Sequence, residues 1–386
     1  MFSRILCTFL YLNLLTCAPL LGQSGETDRV ARLLEQLSNA PGPSGFEGSV
    51  RDILTRQLRS TGLAVSTDGL GSVIGVLPGP PEGPRIMLAA HMDEVGAIVR
   101  YITQDGFVKF QMLGGWFDQG LINQRWQILT AKGQVTAVSG LISVHVSAPS
   151  DLTRVFPHDE IFLDVGARSK EEAERLGIRP GDAVVPWSSF AVLANGRYTG
   201  KAMDDRVGCV MLIEAARRLK EEGIKTPNTI FFVGTVQEEI GLIGAHTAVQ
   251  AVKPDLGISL EAGIAADHPG GKPDGAQEHL GGGPVLYLAD AAMLANLKLK
   301  EFIQRVAQEN KIPLQTEVLS GGAEDSSELQ RFGTGRPSVN FAVATRYLHT
   351  HNSVIDRADL NQAIDLLVGI LARLDSKTVN DISRFD

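Results

Sequence analysis

The chain has 386 residues, 44% of them hydrophobic and 21% charged. That balance excludes a disordered or low-complexity protein and leaves room for two domains. A net charge of −8 argues against nucleic acid as a partner, because nucleic-acid binders favour basic surfaces.

Residues 1–24 read differently from the rest. Arg4 gives a positive start, Ile5 to Leu21 are mostly apolar, and Gly22-Gln23-Ser24-Gly25 follows. This is the layout of a signal peptide, so the expectation is an exported protein, periplasmic or extracellular. Thr8, Asn13, Thr16 and Pro19 break the run and argue against a spanning anchor. Leu14-Leu15-Thr16-Cys17 loosely matches a lipoprotein cleavage box, and membrane attachment is expected only with lipidation. Removal of the segment takes Cys7 and Cys17 with it. Cys209 is then alone, between Val207 and Val210, and reads as a buried structural thiol.

Val30, Leu33, Leu34 and Leu37 have helical spacing, and Pro41-Gly42-Pro43-Ser44-Gly45 ends that helix. A second helix carries Val50, Ile53, Leu54 and Leu58 inward. Strand patterns follow in LAVSTDG, GSVIGVLP and RIMLAAHMD. From Gly96 to Asn195 the character changes to short β-type runs with one helical pattern near Lys170 to Leu176. Such spacing predicts a small barrel or sandwich. Helix and strand alternation returns at Asp204. The expected organisation is a signal segment over 1–24, an α/β catalytic domain from 25–95 and 196–386, and an inserted all-β domain over 96–195. Gly69 to Gly75 is a poor dinucleotide fingerprint, because β-type residues follow where a helix should open. GxSxG, HExxH and Walker patterns do not occur.

Polar residues of metal-binding type stand where apolar runs end: His91 after RIMLAA, Glu239 after NTIFFVGTV, Glu261 after LGISL, and His349 soon after SVNFAVA. Asp204 heads an amphipathic helix. Open α/β sheets present ligands beyond the carboxyl ends of their strands, and two imidazoles with three carboxylates suit a pair of divalent metals. Each residue alone has a plainer reading. Asp204-Asp205 also suits a helix cap, Glu238-Glu239 a solvated helix start, and His91-Met92-Asp93 a polar loop. His91 and Asp93, two apart at a strand end, share a face, so Asp93 is placed to accept the second imidazole N–H. Of His349 and His351 only one need bind metal. His145, His158, His246 and His268 read as ordinary polar or core histidines.

The chain resembles the M42 glutamyl-aminopeptidase family of metallo-aminopeptidases, whose members build hollow tetrahedral shells. The matching stretches are His91-Met92-Asp93-Glu94-Val95-Gly96, Gly114-Gly115-Trp116, Lys201 to Gly208, Gln237 to Gly241, Arg346-Tyr347-Leu348-His349, and Asp164 to Asp182. The resemblance implies a central mixed sheet flanked by helices, of zinc-exopeptidase type, with an inserted PDZ-like or small-barrel domain for subunit association. It implies two divalent ions, zinc or cobalt, bridged by Asp204. His91 and Glu261 would complete one shell, and Glu239 and His349 the other. Glu238 would be the general base, and Asp93 would steady His91. Peptides would be the substrates and a homo-oligomer, a dodecamer by family habit, the assembly.

Three departures stand out. Glu261 replaces the family's usual aspartate, the family's Thr-Asp appears as Glu324-Asp325, and Ser147-Ala148-Pro149-Ser150 replaces a Pro-Pro-His stretch. The expected activity is removal of residues from the amino end of short peptides. A carboxypeptidase or amidohydrolase is the alternative within enzymes, and a non-catalytic assembly protein the alternative outside them. Endoglucanase chemistry fits poorly, because glycosidases pair two carboxylates without a dinuclear metal centre.

Overall fold

The computed structural model describes residues 28–272 and 274–385. The expected signal segment, with Cys7 and Cys17, lies outside the described residues. Helix α1 (Arg29–Asn39) starts on the Asp28 carboxylate, which accepts the Val30 and Ala31 amides, and buries Leu33, Leu34 and Leu37. Helix α2 (Gly48–Ser60) buries Val50, Ile53, Leu54 and Leu58. Strands β1 (Ala64–Thr67), β2 (Val73–Leu77) and β3 (Arg85–His91) follow. All of β3 but Arg85 is buried, as a parallel strand covered on both faces should be.

The chain then leaves the sheet for a closed barrel of β4 (Gly96–Ile102), β5 (Val108–Leu113), β6 (Arg125–Thr130), β7 (Gly133–Gly140), β8 (Phe162–Asp164) and β9 (Ala183–Pro186), with α3 (Lys170–Arg175) before the last strand. The barrel order is β4-β5-β8-β7-β6-β9. Its own core is built from Val99, Phe110, Trp126, Ile128 and Leu163 among others.

The main sheet resumes with β10 (Ala191–Val192) and β11 (Arg197–Gly200), then α4 (Met203–Glu221), β12 (Thr229–Thr235), α5 (Ile243–Val252), β13 (Leu256–Ile264) and β14 (Val285–Ala289). Helix α6 (Leu297–Glu309), β15 (Gln315–Val318), α7 (Ser326–Arg331), β16 (Ser338–Arg346), β17 (Ser353–Asp356), α8 (Arg357–Leu371) and α9 (Ser376–Ser383) complete it. The strand order is β1-β2-β12-β3-β13-β16-β17-β11-β10, with β14 and β15 branching from β16. The four strands β12, β3, β13 and β16 run parallel and the flanking strands antiparallel, which makes the sheet mixed.

The register creates the site. β12 follows β3 as far as Thr235 opposite His91, and β13 follows β16 as far as Ile264 opposite Thr345. Between them, β3 and β13 part after Ala89 opposite Ser259. A crevice therefore opens at the carboxyl ends of the central strands, the usual ligand position in such sheets.

Some local expectations differ from the structure. Glu261 does not end its strand, because the ladder to β16 carries β13 on to Ile264. Residues 141–146 form no strand after β7, and Val144 and Val146 are exposed there. The Ala191–Val192 strand pairs with β11 of the main sheet, upstream of the expected junction at Asn195.

Candidate active site

At the crevice, His91 Nε2 lies 2.9 Å from Asp204 Oδ1, and His349 Nε2 lies 3.2 Å from Asp204 Oδ2. One carboxylate thus spans two imidazoles with its two oxygens. Glu239 Oε2 approaches His349 Nε2 at 3.4 Å, while Glu238 Oε2 and Glu261 Oε2 stand 3.8 and 3.9 Å from His91 Nε2. Glu261 is held by the Ser259 hydroxyl, which donates to its Oε1 at 2.6 Å. The seven residues singled out from the sequence, with Asp93 included, converge on this one place.

Local structure explains how each side chain arrives. Asp204 and Asp205 have non-helical dihedrals at the head of α4, so the Asp204 carboxylate turns into the crevice instead of following the helix face. Ala202, Gln237, Leu242, Tyr347 and His349 all have positive φ without being glycine. Such conformations cost about 1–3 kcal/mol each and cluster at functional sites. The turn of Glu238 and Glu239 hangs on Asp93: Oδ1 accepts the Glu238 amide at 3.0 Å and Oδ2 the Glu239 amide at 3.2 Å. Ser44 Oγ adds a hydrogen bond to the same Oδ2 at 2.7 Å. His91 Nδ1 lies 3.1 Å from the Asp93 backbone oxygen and 3.6 Å from its carboxylate. Asp93 therefore faces His91 mainly through its carbonyl, and spends its carboxylate on the neighbouring turn.

Gly114 and Gly115 bring the barrel's edge to the same centre. A Cβ on Gly114 would sit 3.1 Å from Glu239 Oε2, and one on Gly115 3.4 Å from His349 Nδ1. Next to them, His351 packs edge-on against Trp126 at 4.5 Å and Trp116 at 5.8 Å. Its Nε2 lies 3.0 Å from the Arg125 carbonyl, and burial pulls it down to about 4. Of the two late histidines, His349 joins the acids and His351 the joint with the barrel.

Electrostatics follow from crowding. Burial alone would lower His91, but Glu238, Asp204 and Asp93 outweigh it and raise it well above its ordinary value. Burial likewise opposes protonation of His349, yet the Asp204 hydrogen bond and Glu239 carry it to about 9. Burial pushes Glu239 up to about 8, helped by Asp204, and raises Glu238 and Glu261 with help from Glu324. Burial would raise Asp204 too, but the two imidazoles hold it below the carboxylate range. A site this rich in buried acid calls for cations. The donors fit that need: His91, Asp204 and Glu239 offer ligand atoms within 4.8 Å of one another, as do His91, Asp205 and Glu261. Glu239 Oε1 is buried without a protein partner.

Sequence reasoning passed over several contributors. Asp205, fully buried, accepts the His91 amide at 3.2 Å and the Gly208 amide at 2.9 Å. Lys201 is buried against Glu94 at 2.6 and 2.8 Å and so ties the β3 loop to the start of α4. His268 lines the cavity and packs at a tilt against Tyr347, His158 pairs with Asp118 outside it, and His246 pairs with Glu328 of the cavity wall. Cys209 is a buried free thiol pushed up to about 12 by burial, as its position suggested. Asp205 carried an available signal in its adjacency to Asp204. Lys201 and Ser44 carried none without the fold.

The cluster opens into a cavity of about 1050 Å³ walled by Trp116, Ala262, Ile264, Glu324 and Tyr347, among others. A larger groove of about 1210 Å³ lies by α9 and the entry ends of the parallel strands, and no histidine lines it.

A mixed sheet with an inserted barrel and an acid-and-imidazole cluster at its strand ends defines a hydrolase of the zinc-exopeptidase type. Residues 71–366 match the M42 glutamyl aminopeptidase family, and the chain belongs to that family. It is 34% identical to the lysyl aminopeptidase of Pyrococcus furiosus over 89% of this chain and 96% of the relative. A TET aminopeptidase from a marine-sediment Thaumarchaeota archaeon superposes with a TM-score of 0.89 at 41% identity, covering 92% of this chain and 100% of that one. The TET1 peptidase of Pyrococcus horikoshii, which can assemble into a tetrahedron or a large octahedral shell, gives 0.81 at 30% identity over 89% and 100%. The chain is thus an aminopeptidase of a metal-dependent family. The expected export is corrected: the relatives that define the chain are TET-type and lysyl aminopeptidases, a relationship that brings no exported location with it. The segment that carried the signal-peptide and lipoprotein readings lies outside the described residues.

Proposed function

We propose that this protein is a dinuclear-metal aminopeptidase that removes the first residue of short peptides. The observation that carries the reading is the Asp204 carboxylate, whose two oxygens face one imidazole each. Asp204 would be shared by both ions, His91 and Glu261 would hold one, and Glu239 and His349 the other. The ligand set suits zinc or cobalt. When bound, the ions supply Lewis acidity toward the scissile carbonyl and make water a stronger acid.

The chain's own residues do the rest. Glu238 stands on the same cavity wall as Asp204 and Glu239, close enough to take a proton from the attacking water and return it to the departing amine. Asp93 fixes the Glu238–Glu239 turn through its two amides and so keeps base and ligand in register. The cavity is open enough for the first residues of a peptide. We read 25–95 with 196–386 as the catalytic unit and 96–195 as the inserted unit that serves subunit association. The assembly would be a homo-oligomer, a dodecamer in keeping with its TET relatives.

Purified protein, reconstituted with zinc or cobalt, is assayed on free-amine, amine-blocked and carboxyl-blocked peptides while metal content is measured. Cleavage of free-amine and carboxyl-blocked peptides, with about two ions per chain, is the expected result. Activity on amine-blocked but not carboxyl-blocked peptides would overturn the end specificity. One ion or none would overturn the dinuclear centre.

A further inference from the structure

The carboxylates around the crevice have partners, with one exception. Asp204 faces His91 and His349, Glu239 faces His349, Glu238 faces His91, and Glu261 takes the Ser259 hydroxyl. Asp325 accepts the Thr235 hydroxyl at 2.6 Å. Glu328 meets Arg331 and His246, each at 2.9 Å. The half-buried carboxylate of Glu324 has no hydrogen-bond or ion-pair partner among the described residues, although it shares the cavity wall with Asp204, Glu238 and Glu239. Its place on that wall, beside Asp204 and both glutamates, sets it at the reacting end of the cavity.

Two divalent ions, if bound as proposed above, would be met by Asp204, Glu239 and Glu261, while Glu238 faces His91 and the neighbouring Asp93, Asp205 and Asp325 accept hydrogen bonds from amides or a hydroxyl. Glu324 is the carboxylate of this group left without a protein partner among the described residues. Away from the cluster the wall turns apolar, with Ala262, Ile264, Ala265 and Ala266, so the unpartnered carboxylate faces the reacting end of a substrate and not its first side chain.

We propose that Glu324 accepts the α-ammonium group of the substrate's first residue and thereby selects the amino end of a peptide. The assignment rests on the aminopeptidase reading and adds a residue to it. No bond is made or broken by Glu324, so it is a specificity residue and Glu238 keeps the proton transfer.

The test compares wild type with Glu324→Gln, both metal-loaded, on leucine p-nitroanilide and its des-amino counterpart, 4-methylpentanoyl p-nitroanilide. Calorimetric binding of leucinamide and of 4-methylpentanamide gives a readout independent of turnover. In the variant, KM for the free-amine substrate and Kd for leucinamide should rise on the order of 10- to 100-fold, as loss of a charged hydrogen bond predicts. The des-amino pair should hardly move, and metal content should stay the same. An unchanged preference for the free amine would overturn the proposal. So would loss of a metal ion, which would make Glu324 a ligand, or a defect confined to substrates that begin with Lys or Arg, which would make it a side-chain acceptor. Wild-type protein that fails to cleave leucine p-nitroanilide while cleaving amine-blocked peptides would instead refute the aminopeptidase reading.

Discussion

Glu278 couples the stability of the fold to pH. It is 2% exposed and sits behind β13, where Tyr287 donates to its Oε1 at 2.8 Å and the Ile264 amide donates to the same oxygen. Its Oε2 lies against Gly263 with no partner. Burial pushes this carboxyl from an ordinary 4.5 up to about 7, against the pull of Tyr287 and the Ile264 amide. Below the ordinary value both folded and unfolded chains hold the proton, and no penalty exists. As pH rises, the unfolded chain releases its proton first, so stability falls until the folded pKa is passed. The full penalty is about 3 kcal/mol, of which about 2.5 kcal/mol develops between pH 5 and pH 8. Glu278→Gln keeps an acceptor for Tyr287 and Ile264 and does not titrate. Urea unfolding of both proteins at the two pH values should therefore show the variant gaining about 2.5 kcal/mol on wild type at pH 8 relative to pH 5. Parallel stability profiles for the two proteins would refute the reasoning.

Other predictions address the site and its supports. Glu238→Gln should cost at least about 100-fold in kcat, the low end for lost acid–base catalysis, with metal content unchanged; an active variant would displace Glu238 from its role. His91→Ala and His349→Ala should each lower the metal bound per chain, and full stoichiometry by elemental analysis would exclude them as ligands. Lys201→Met leaves the buried Glu94 with only the Gly42 amide at 3.0 Å and Arg206 at 3.5 Å and should cost up to about 3–5 kcal/mol in urea unfolding, whereas a loss under about 1 kcal/mol would mean that Arg206 takes over the charge. Gly244→Ala would put a Cβ 2.3 Å from the Val236 carbonyl oxygen and 2.4 Å from its amide nitrogen. It should destabilise by about 1–3 kcal/mol and weaken metal binding through the Glu238–Glu239 turn, which a titration with zinc would show.

Much of this site was legible because strand ends advertise themselves. An apolar run that stops at His91, or just before Glu238-Glu239, marks both a parallel strand and the point where its chain emerges into the crevice. Periodicity likewise separates the barrel, with its short runs between turns, from the helix-rich remainder. Geometry that depends on two distant segments could not be read. The Asp93 carboxylate was expected on the imidazole, and it stands 3.6 Å from Nδ1 while also taking the amides of the 237–239 turn and the Ser44 hydroxyl, partners that no spacing announced. Glu261 looked like a strand end because the apolar run LGISL stops at it, and only the neighbouring β16 ladder shows that the strand continues. Residues 141–146 have β-type composition yet gain no partner strand, so composition alone misplaced them.

The barrel's position changes how the insertion should be regarded. It leaves the sheet right after His91-Met92-Asp93-Glu94-Val95 and sends Gly114 and Gly115 back against Glu239 and His349. Trp126 of β6 and the nearby Trp116 then pack on His351, two residues beyond His349. His349 itself has positive φ, a conformation that surrounding contacts must enforce. The Thr350 and Ser353 hydroxyls tie the loop through the Tyr347 carbonyl, and the barrel adds contacts from the other side. A Cβ at Gly115 would lie 3.4 Å from the His349 ring, and the Trp126–His351 packing holds the end of the loop that carries it. The inserted unit is therefore part of the scaffold that aims one imidazole at Asp204. Substitutions at this joint should register in the metal site as well as in barrel stability.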